Sequence, residues 1–314
     1  MNKYNISDIG KLSIKANKNL EWFWEEVSKE LGVVWDKPYT KILDVSKGIQ
    51  WAKWFVNGNT NIYKSSIEKF SKYTSNKIAY IFVSEDGTTS NITYSELNNK
   101  VNKLANALKQ LKVKKGDVVA IFLPMIEEAI IAILASAKIG ATQTVIFSGY
   151  SSESLQIRLK DCKAKILFVC DGFQRNGKLI SQKQIVDNAT KNTNVEKIIL
   201  THYKGVDVYE ESEHCIFYDR LVFDQSVKCD TEITNSEDPL FILYTSGTTG
   251  KPKGVIHTHG GFSVFAGYQA AFLIDMNQDD VILWPADIGW ITGLMWNVYG
   301  LLIRGSSAVL YDGA

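Results

Sequence analysis

Three features that would point to particular protein classes are absent from this sequence. The four cysteines form no Cys-x-x-Cys pair, so neither a zinc site nor a disulfide scaffold is indicated, and we expect buried free thiols in a reducing cytoplasm. The net charge is +1, so we expect neither nucleic acid nor an anionic membrane as a partner. The N-terminus is polar, without an apolar signal core, and the most apolar helix-like run, residues 129–137, is too short to span a bilayer.

The composition is that of an ordinary soluble globular protein. The chain has 314 residues, of which 45% are hydrophobic and 22% are charged. This length allows roughly two domains and a large core. Five of the eight tryptophans lie within the first 56 residues. Such aromatic side chains more often anchor a segment against a larger body than line a binding site.

From residue 77 onward, strand-like and helix-like segments alternate. Residues 78–83 and 118–123 are predicted strands, and Thr93–Glu96 has the spacing of a capping box that opens a helix. A second helix is predicted from about Ile126 to Ile139, with Gly140 as its stop signal. This alternation predicts an α/β fold with parallel-rich sheets and helical layers.

The most informative stretch runs from Phe241 to Gly261. It begins with an apolar, strand-like tetrapeptide and continues with ten residues, 245–254, that combine four hydroxyls, three glycines, two lysines and a proline. That mixture predicts a loop. Glycines let backbone N–H groups approach a ligand closely, hydroxyls add donors, and lysines add positive charge. The stretch therefore predicts a phosphate-binding loop made by Thr245, Ser246, Gly247, Thr248, Thr249, Gly250, Lys251 and Lys253.

Two other interpretations of this loop are less favoured. Glycine- and serine-rich segments are often flexible surface loops, but this one follows a fully apolar strand and is stiffened by Pro252. A Walker A loop, counted from Gly247, needs Gly-Lys where this chain has Pro252-Lys253, and no Ser or Thr follows. A P-loop kinase or GTPase is therefore disfavoured.

The stretch resembles the phosphate-binding signature of the adenylate-forming superfamily, which includes acyl-CoA synthetases, luciferases and peptide-synthetase adenylation domains. Residues 54–62 (WFVNGNTNI) are also similar to the segment that opens the acetyl- and propionyl-CoA synthetases. The resemblance implies an N-terminal extension over residues 1–76 and an AMP-binding domain over residues 77–314. It also implies ATP, magnesium (Mg2+) and coenzyme A as substrates or cofactors.

Two further motifs resemble parts of the short-chain acyl-CoA synthetases. In residues 171–178 (DGFQRNGK), the resemblance implies that Arg175 and Lys178 contact the 3′-phosphate of coenzyme A; a solvated turn is the alternative. In residues 285–293 (PADIGWITG), it implies that Trp290, Ile291 and Thr292 wall the acyl and pantetheine ends of the site. A simple strand-to-helix turn would explain the two glycines of this motif but not all nine residues.

The resemblance covers nearly all of residues 20–314, but the family's later motifs are not in this sequence. These are the glutamate that contacts magnesium, the aspartate that binds the ribose, and the C-terminal domain with its adenylating lysine. We therefore expect an N-terminal portion of such an enzyme that is inactive alone, with a separately encoded C-terminal half as one possible partner.

Two functions remain open from the sequence. The first is an AMP-forming acyl-CoA synthetase, with acetate as the expected substrate and propionate or 3-hydroxypropionate as alternatives. The second is a catalytically incompetent fragment or pseudoenzyme that retains a nucleotide-phosphate loop. The expected partners are small molecules: a carboxylate, ATP and coenzyme A. The residues that would hold the metal cannot be assigned within this sequence.

Overall fold

Two sheets, with helices packed between and around them, form the body of the protein. The computed structural model describes residue 4 and residues 6–206, 209–245 and 250–313. Within these ranges, no helix is both long and apolar enough to cross a membrane. The α/β architecture with parallel-rich sheets is confirmed.

The larger sheet has seven strands in the order β11-β10-β7-β5-β6-β12-β13. All neighbours pair in parallel except β12 and β13, which form an antiparallel hairpin. The strands of this sheet are β5 (Val118–Phe122), β6 (Thr142–Val145), β7 (Ile166–Cys170), β10 (Lys197–Thr201), β11 (Cys215–Phe217), β12 (Pro239–Thr245) and β13 (Lys253–Thr258).

The second sheet has four strands in the order β14-β15-β3-β4. Strands β14, β15 and β3 pair in parallel, and β3 and β4 form a hairpin. These strands are β3 (Ile78–Ser84), β4 (Thr89–Thr93), β14 (Val281–Leu283) and β15 (Ser307–Asp312). Two small antiparallel pairs complete the strands: β1 (Lys41–Asp44) with β2 (Lys53–Val56), and β8 (Gly172–Arg175) with β9 (Lys178–Ser181).

The central strands of the seven-stranded sheet are buried on both faces, as β5 shows. Successive side chains of a strand point to opposite faces. Val119 and Ile121 belong to the main core, which also contains side chains of the second sheet, whereas Ala120 and Phe122 belong to a smaller core formed with α6 and α7. A strand that is buried on both faces has a continuous apolar sequence, and the sequence of β5 is of this kind.

Ten helical segments are described: α1 (Ile9–Lys18), α2 (Leu20–Leu31), α3 (Lys69–Ser71), α4 (Tyr94–Gln110), α5 (Glu127–Lys138), α6 (Ser152–Cys162), α7 (Lys183–Ala189), α8 (Tyr218–Val222), α9 (His259–Tyr268) and α10 (Gly300–Arg304). The predicted capping box at the start of α4 is present: Thr93 and Glu96 each bond the other's backbone N–H. Wider π-helical turns cover residues 64–68, 269–273 and 293–299.

Helix α5 is apolar all round because it is enclosed, with every residue from Ala129 to Lys138 buried. Its last residue is a charged one. The Lys138 ammonium lies 2.9 Å from Glu68 Oε1 and 2.6 Å from Thr231 Oγ1, and 4.3 Å from the centre of the Tyr63 ring. This ion pair ties the segment before α3 to the end of α5 and to the connection that leads into β12.

The N-terminal region packs onto the body through aromatic side chains. The Trp24 ring lies 5.3 Å from Tyr268 of α9 and 6.0 Å from Trp54 of β2. Trp51 is different, since it is 66% exposed. For residues 51–55 the sequence predicts only a short apolar patch, and it does not predict the β1–β2 hairpin.

Three sequence predictions need correction. Cys162 and Cys170 are buried, but Cys215 and Cys229 are partly exposed. The phosphate loop is shorter than residues 245–254, because Thr245 ends β12 and Lys253 opens β13. After Gly261 the sequence predicts a helix from roughly Phe262 to Phe272, but the helix starts earlier, at His259, and turns π-helical after Tyr268.

Candidate functional site

A cavity of about 610 Å³ lies where the carboxyl ends of strands from both sheets meet. In open α/β sheets, ligands bind outside the carboxyl ends of the parallel strands. Residues that follow β5, β6 and β7 form one side of the cavity, and residues that end or follow β14 and β15 form the other. The lining residues on the first side are Pro124, Met125, Phe147, Ser148 and Phe173–Arg175, and those on the second are Leu283–Asp287, Trp290 and Tyr311–Gly313.

Arg175 is brought to the cavity by the β8–β9 hairpin. The hairpin turn is Asn176-Gly177, with φ angles of 50° and 70°, a backbone that this residue pair adopts readily in two-residue turns. The guanidinium carbon lies 4.8 Å from the centre of the Phe147 ring. Gly149 permits this approach, because a Cβ there would lie 2.5 Å from Arg175 Nη1. Arg175 is the only cationic side chain among the described residues that line the cavity.

Lys178, the other predicted coenzyme A contact, is directly opposite Arg175 in the hairpin. Its side chain is exposed, and it is not among the residues that line the cavity. The two cations therefore lie side by side at the turn, with Arg175 at the cavity and Lys178 facing solvent. The Gly177 N–H, between them, donates to Glu85 Oε1 at 2.7 Å.

Asp171 holds the base of this hairpin in place. Its fully buried carboxylate accepts three backbone N–H groups, from Tyr203 and Lys204 at 3.0 Å each and from Gly205 at 2.8 Å. Tyr203 in turn donates its hydroxyl to Asp312 Oδ2 at 2.6 Å. One buried carboxylate thus fixes the position of the hairpin relative to a second carboxylate in the cavity.

Two carboxyl groups line the cavity, Asp287 and Asp312. Burial raises the pKa of Asp287 to about 6, although the Gly289 N–H at 2.6 Å and the positive charge of Arg175 both act to lower it. Burial also raises the pKa of Asp312, against the opposing effect of the Tyr203 hydroxyl. A perturbed carboxyl in a cleft is a common property of functional sites.

The three predicted acyl-pocket residues are placed differently from one another. Trp290 lines the cavity and is 49% exposed. Ile291 packs against the main core, and neither it nor Thr292 is among the lining residues. The segment before Trp290 is held by Asn297, whose buried amide donates to the carbonyls of Trp284 and Ala286, both at 2.9 Å.

The predicted phosphate loop joins β12 to β13. Thr245 is paired with Lys253, so these two residues mark its base. Gly250 has a φ of 83°, and Lys251 and Lys253 are exposed; within the described residues neither lysine has a carboxylate within 4.0 Å. The remaining predicted residues, Ser246, Gly247, Thr248 and Thr249, lie outside the described residues.

Aromatic contacts connect this loop to the cavity wall. The Phe147 ring lies 5.6 Å from Tyr150, and the Arg158 guanidinium carbon lies 4.4 Å from Tyr150 and 5.6 Å from Tyr244, the residue before Thr245. Since β6 and β12 are parallel neighbours, the loop and the Phe147 segment emerge at the same edge of the sheet. Thr245, the first residue of the predicted phosphate loop, therefore lies at the same edge of the sheet as the cavity.

No metal centre is found in the described part of the chain, where no three His, Cys, Asp or Glu side chains cluster. For His257 the sequence predicts a structural role, because no acid or nucleophile signature lies beside it. Its ring stacks on Phe241 with ring centres 4.6 Å apart, and burial lowers its pKa.

Sequence reasoning missed Phe147, Asp287 and Asp312 as parts of the site. Phe147 and Asp312 could have been found from their positions at the carboxyl ends of predicted parallel strands.

Comparisons with known proteins agree with the α/β fold and identify relatives over nearly the whole chain. The family model described as "AMP-binding enzyme" matches residues 67–314, and "Acetyl-coenzyme A synthetase N-terminus" matches residues 10–65. Acetyl-coenzyme A synthetase from Methanothrix thermoacetophila is 46% identical over 97% of this chain, and that from Helicobacter pylori is 40% identical over 98%. The solved structure of acetoacetyl-CoA synthetase from Streptomyces lividans superimposes with a TM-score of 0.90 at 26% identity, covering 98% of this chain. The chain spans about half the length of these relatives, 47% of each.

Proposed function

The chain belongs to the AMP-binding enzyme family, and from this premise we propose that it supplies the cavity and phosphate loop of an AMP-forming acyl-CoA synthetase. The proposed reaction is carboxylate plus ATP to acyl-adenylate and pyrophosphate, followed by thioester formation with coenzyme A. One observation supports this proposal most strongly. A cavity lined by Arg175 and Trp290, from two separate motifs, lies at the same edge of the sheet as the end of β12 at Thr245.

The chemistry explains why these parts are needed together. A carboxylate acylates poorly at neutral pH because its leaving group would be oxide, whereas an acyl-adenylate loses AMP. Negative charge develops on phosphate oxygens in the first step, and preorganised donors and cations stabilise it. We assign this role to the loop residues 245–251 and to Lys253. The family's magnesium ion would neutralise phosphate charge, but the described residues offer no ligand cluster for it, so we assign it none.

In the second step the thiol of coenzyme A replaces AMP. Arg175, with its guanidinium against Phe147, and Lys178, exposed beside it, would hold the nucleotide end of coenzyme A. Trp290 would form the wall near the acyl group. Acetate is the proposed substrate because two relatives at 40% identity or more are named acetyl-coenzyme A synthetase. Propionate and 3-hydroxypropionate are the alternatives.

A second candidate function is nucleotide binding without catalysis. The chain spans about half the length of its relatives, and the described residues contain no metal-binding cluster. On this proposal residues 1–314 alone bind nucleotide phosphates weakly and make no acetyl-CoA from acetate, ATP and coenzyme A. A separately encoded second half is the partner proposed for the first candidate, and activity restored by it would exclude the second. We further propose residues 1–76 as an N-terminal extension, residues 77–314 as the AMP-binding domain, and the cytoplasm as the location.

The decisive experiment measures acetate-dependent exchange of pyrophosphate into ATP. It uses residues 1–314 alone and joined to the part of the Methanothrix thermoacetophila relative that the match does not cover. We expect exchange in the joined protein, lowered on the order of a hundredfold by Lys253→Ala, since one lost transition-state charge costs about 2–4 kcal/mol. Lys160→Ala, at an exposed lysine of α6, is the matched control. Exchange that is unchanged by Lys253→Ala would refute the role of this loop.

A second experiment tests the assignment of Arg175 and Lys178. Changing both to alanine should raise the KM for coenzyme A and leave pyrophosphate exchange nearly intact, because adenylation precedes thiol binding. Of the two single variants, Arg175→Ala should raise the KM for coenzyme A more than Lys178→Ala does, since only Arg175 lines the cavity. If the double variant discriminates dephospho-coenzyme A from coenzyme A as well as the wild type does, the 3′-phosphate contact is wrongly assigned.

A further inference from the structure

One titratable group in the cavity has no role in the reaction described above: the carboxyl of Asp287. We propose that Asp287 accepts the thiol proton of coenzyme A as the sulfur attacks the acyl-adenylate. This inference rests on the proposed function and adds a catalytic residue to its second step. It follows from the position of the carboxyl, from its contacts and from the charges that face it.

Asp287 is held in place with one oxygen available. It lines the same cavity as Arg175 and Trp290, the residues proposed to contact coenzyme A and to wall the acyl end of the site. Its Oδ1 accepts the Gly289 N–H at 2.6 Å. Among the described residues, no donor is found for Oδ2. The carboxyl therefore has one oxygen fixed by the backbone and one available to a ligand.

The backbone around Asp287 is also fixed, as a general base requires. Asn297 binds the Ala286 carbonyl at 2.9 Å, and the Ile288 N–H lies 3.4 Å from Met125 Sδ. At Gly293 a Cβ would lie 2.1 Å from the Asp287 carbonyl oxygen, so only glycine fits against this turn. The carboxyl thus has little freedom to turn away from the cavity.

The two charges that face Asp287 are Arg175 and Asp312. Arg175 favours the ionised form that can take a proton, and Asp312 opposes it. Asp312 is the less suitable base, because its Oδ2 already accepts the Tyr203 hydroxyl at 2.6 Å. Burial raises the pKa of Asp287 to about 6, so the carboxylate is still mostly ionised at neutral pH and is a stronger base than an ordinary aspartate.

The proposed step balances without a further reactant. A thiol with a pKa of about 8.5 is largely protonated at neutral pH, so its proton must leave as the sulfur attacks. The S–C bond forms at the acyl carbon, and the bond from that carbon to the phosphate oxygen breaks. The electron pair of the broken bond leaves with AMP. The thiol proton moves to Asp287 Oδ2 and is later released to solvent.

The test isolates this step by supplying synthetic acetyl-adenylate and coenzyme A, and measures acetyl-CoA across a range of pH. It uses residues 1–314 alone and joined to the uncovered part of the Methanothrix thermoacetophila relative. Asp287→Asn retains an oxygen that can accept the Gly289 N–H, so the turn should persist. Asp279→Asn makes the same chemical change at an exposed position outside the cavity and is the matched control.

We expect Asp287→Asn to lower kcat on the order of a hundredfold near neutral pH, the usual contribution of a general base. The deficit should shrink as the pH rises toward the pKa of the coenzyme A thiol, because free thiolate needs no base. The wild-type rate should fall with acid through a pH of about 6, and the variant should lack this fall. Asp279→Asn should behave as the wild type, and pyrophosphate exchange should be nearly unchanged in all three proteins.

Three outcomes would overturn the proposal. An equal loss at every pH, together with a loss of pyrophosphate exchange, would show that Asp287 only supports the turn. If Asp287→Asn keeps the wild-type dependence of rate on pH, another group takes the proton. The same conclusion follows if Asp312→Asn, and not Asp287→Asn, loses the fall in rate near pH 6. If the joined protein with the wild-type sequence of residues 1–314 forms no acetyl-CoA from acetyl-adenylate, the proposed function itself fails, and this result differs from the other two.

Discussion

Replacing Lys138 by methionine tests the buried ion pair that joins α5 to the segment before α3. At 2.9 Å and an effective dielectric constant of about 20, the attraction between Lys138 and Glu68 is about 6 kcal/mol, and the cost of removing both charges from water offsets much of it. Loss of one partner from a buried pair costs about 3–5 kcal/mol. The Glu68 side chain keeps 29% exposure and can be partly hydrated, so we expect a loss of about 3 kcal/mol.

The assay is urea-induced unfolding followed by tryptophan fluorescence. Lys41→Met is the matched control, because Lys41 pairs with Asp44 at 3.3 Å on the surface and its side chain is 51% exposed. It should change stability by at most about 0.5 kcal/mol. The double variant Lys138→Met with Glu68→Leu should recover most of the loss, because no uncompensated charge is then buried. A Lys138→Met protein as stable as the Lys41→Met control would refute the reasoning.

Three further predictions concern stability. The pKa of Asp287 is raised from 3.8 to about 6 in the folded protein, because burial favours the protonated carboxyl. The folded state is therefore most stable, with respect to this group, below pH 3.8, and it loses that stability as the pH rises through about 6. Asp287→Asn should therefore stabilise the chain at neutral pH, by at most about 3 kcal/mol, and hardly at all in acid, as urea unfolding at both pH values can show. Gly293→Ala should cost about 2 kcal/mol or more and weaken coenzyme A binding, measured by thermal unfolding and calorimetric titration, because the new Cβ would meet the Asp287 carbonyl. Thr93→Ala should lower the free energy of unfolding by about 1 kcal/mol, measured in urea, because it removes the capping box of α4.

Much of the fold could be predicted because local patterns and tertiary structure agree. The apolar runs of β3 and β5 are strands within a residue of their expected bounds, and the cap of α4 formed as its spacing predicts. The π-helical turns could not be predicted, since the apolar pattern of residues 293–299 is explained equally well by ordinary helical periodicity. The β1–β2 hairpin was missed because its strands are only four residues long.

In the candidate site, too, some residues could be predicted from the sequence and others could not. Arg175 and Trp290 were found because each belongs to a motif that can be recognised within a few residues. Asp287 was not, because its chemistry depends on a cavity formed by strands from two sheets. Likewise, a sequence cannot show that Lys178 faces solvent while Arg175 faces the cavity. Both residues flank the same turn, and only the tertiary structure around that turn distinguishes them.

The turn between these two cations also has a consequence for the chemical lifetime of the protein. Asparagine followed by glycine is the dipeptide most prone to deamidation, in which the glycine nitrogen loses its proton and attacks the asparagine amide. At Asn176-Gly177 that nitrogen donates its proton to Glu85 Oε1 at 2.7 Å, which opposes the attack. Deamidation would place a negative charge between Arg175 and Lys178. We expect the hydrogen bond to Glu85 to slow this reaction at Asn176. Peptide mapping of stored Glu85→Gln protein should show faster conversion at Asn176 than in the wild type, and equal rates would contradict this role.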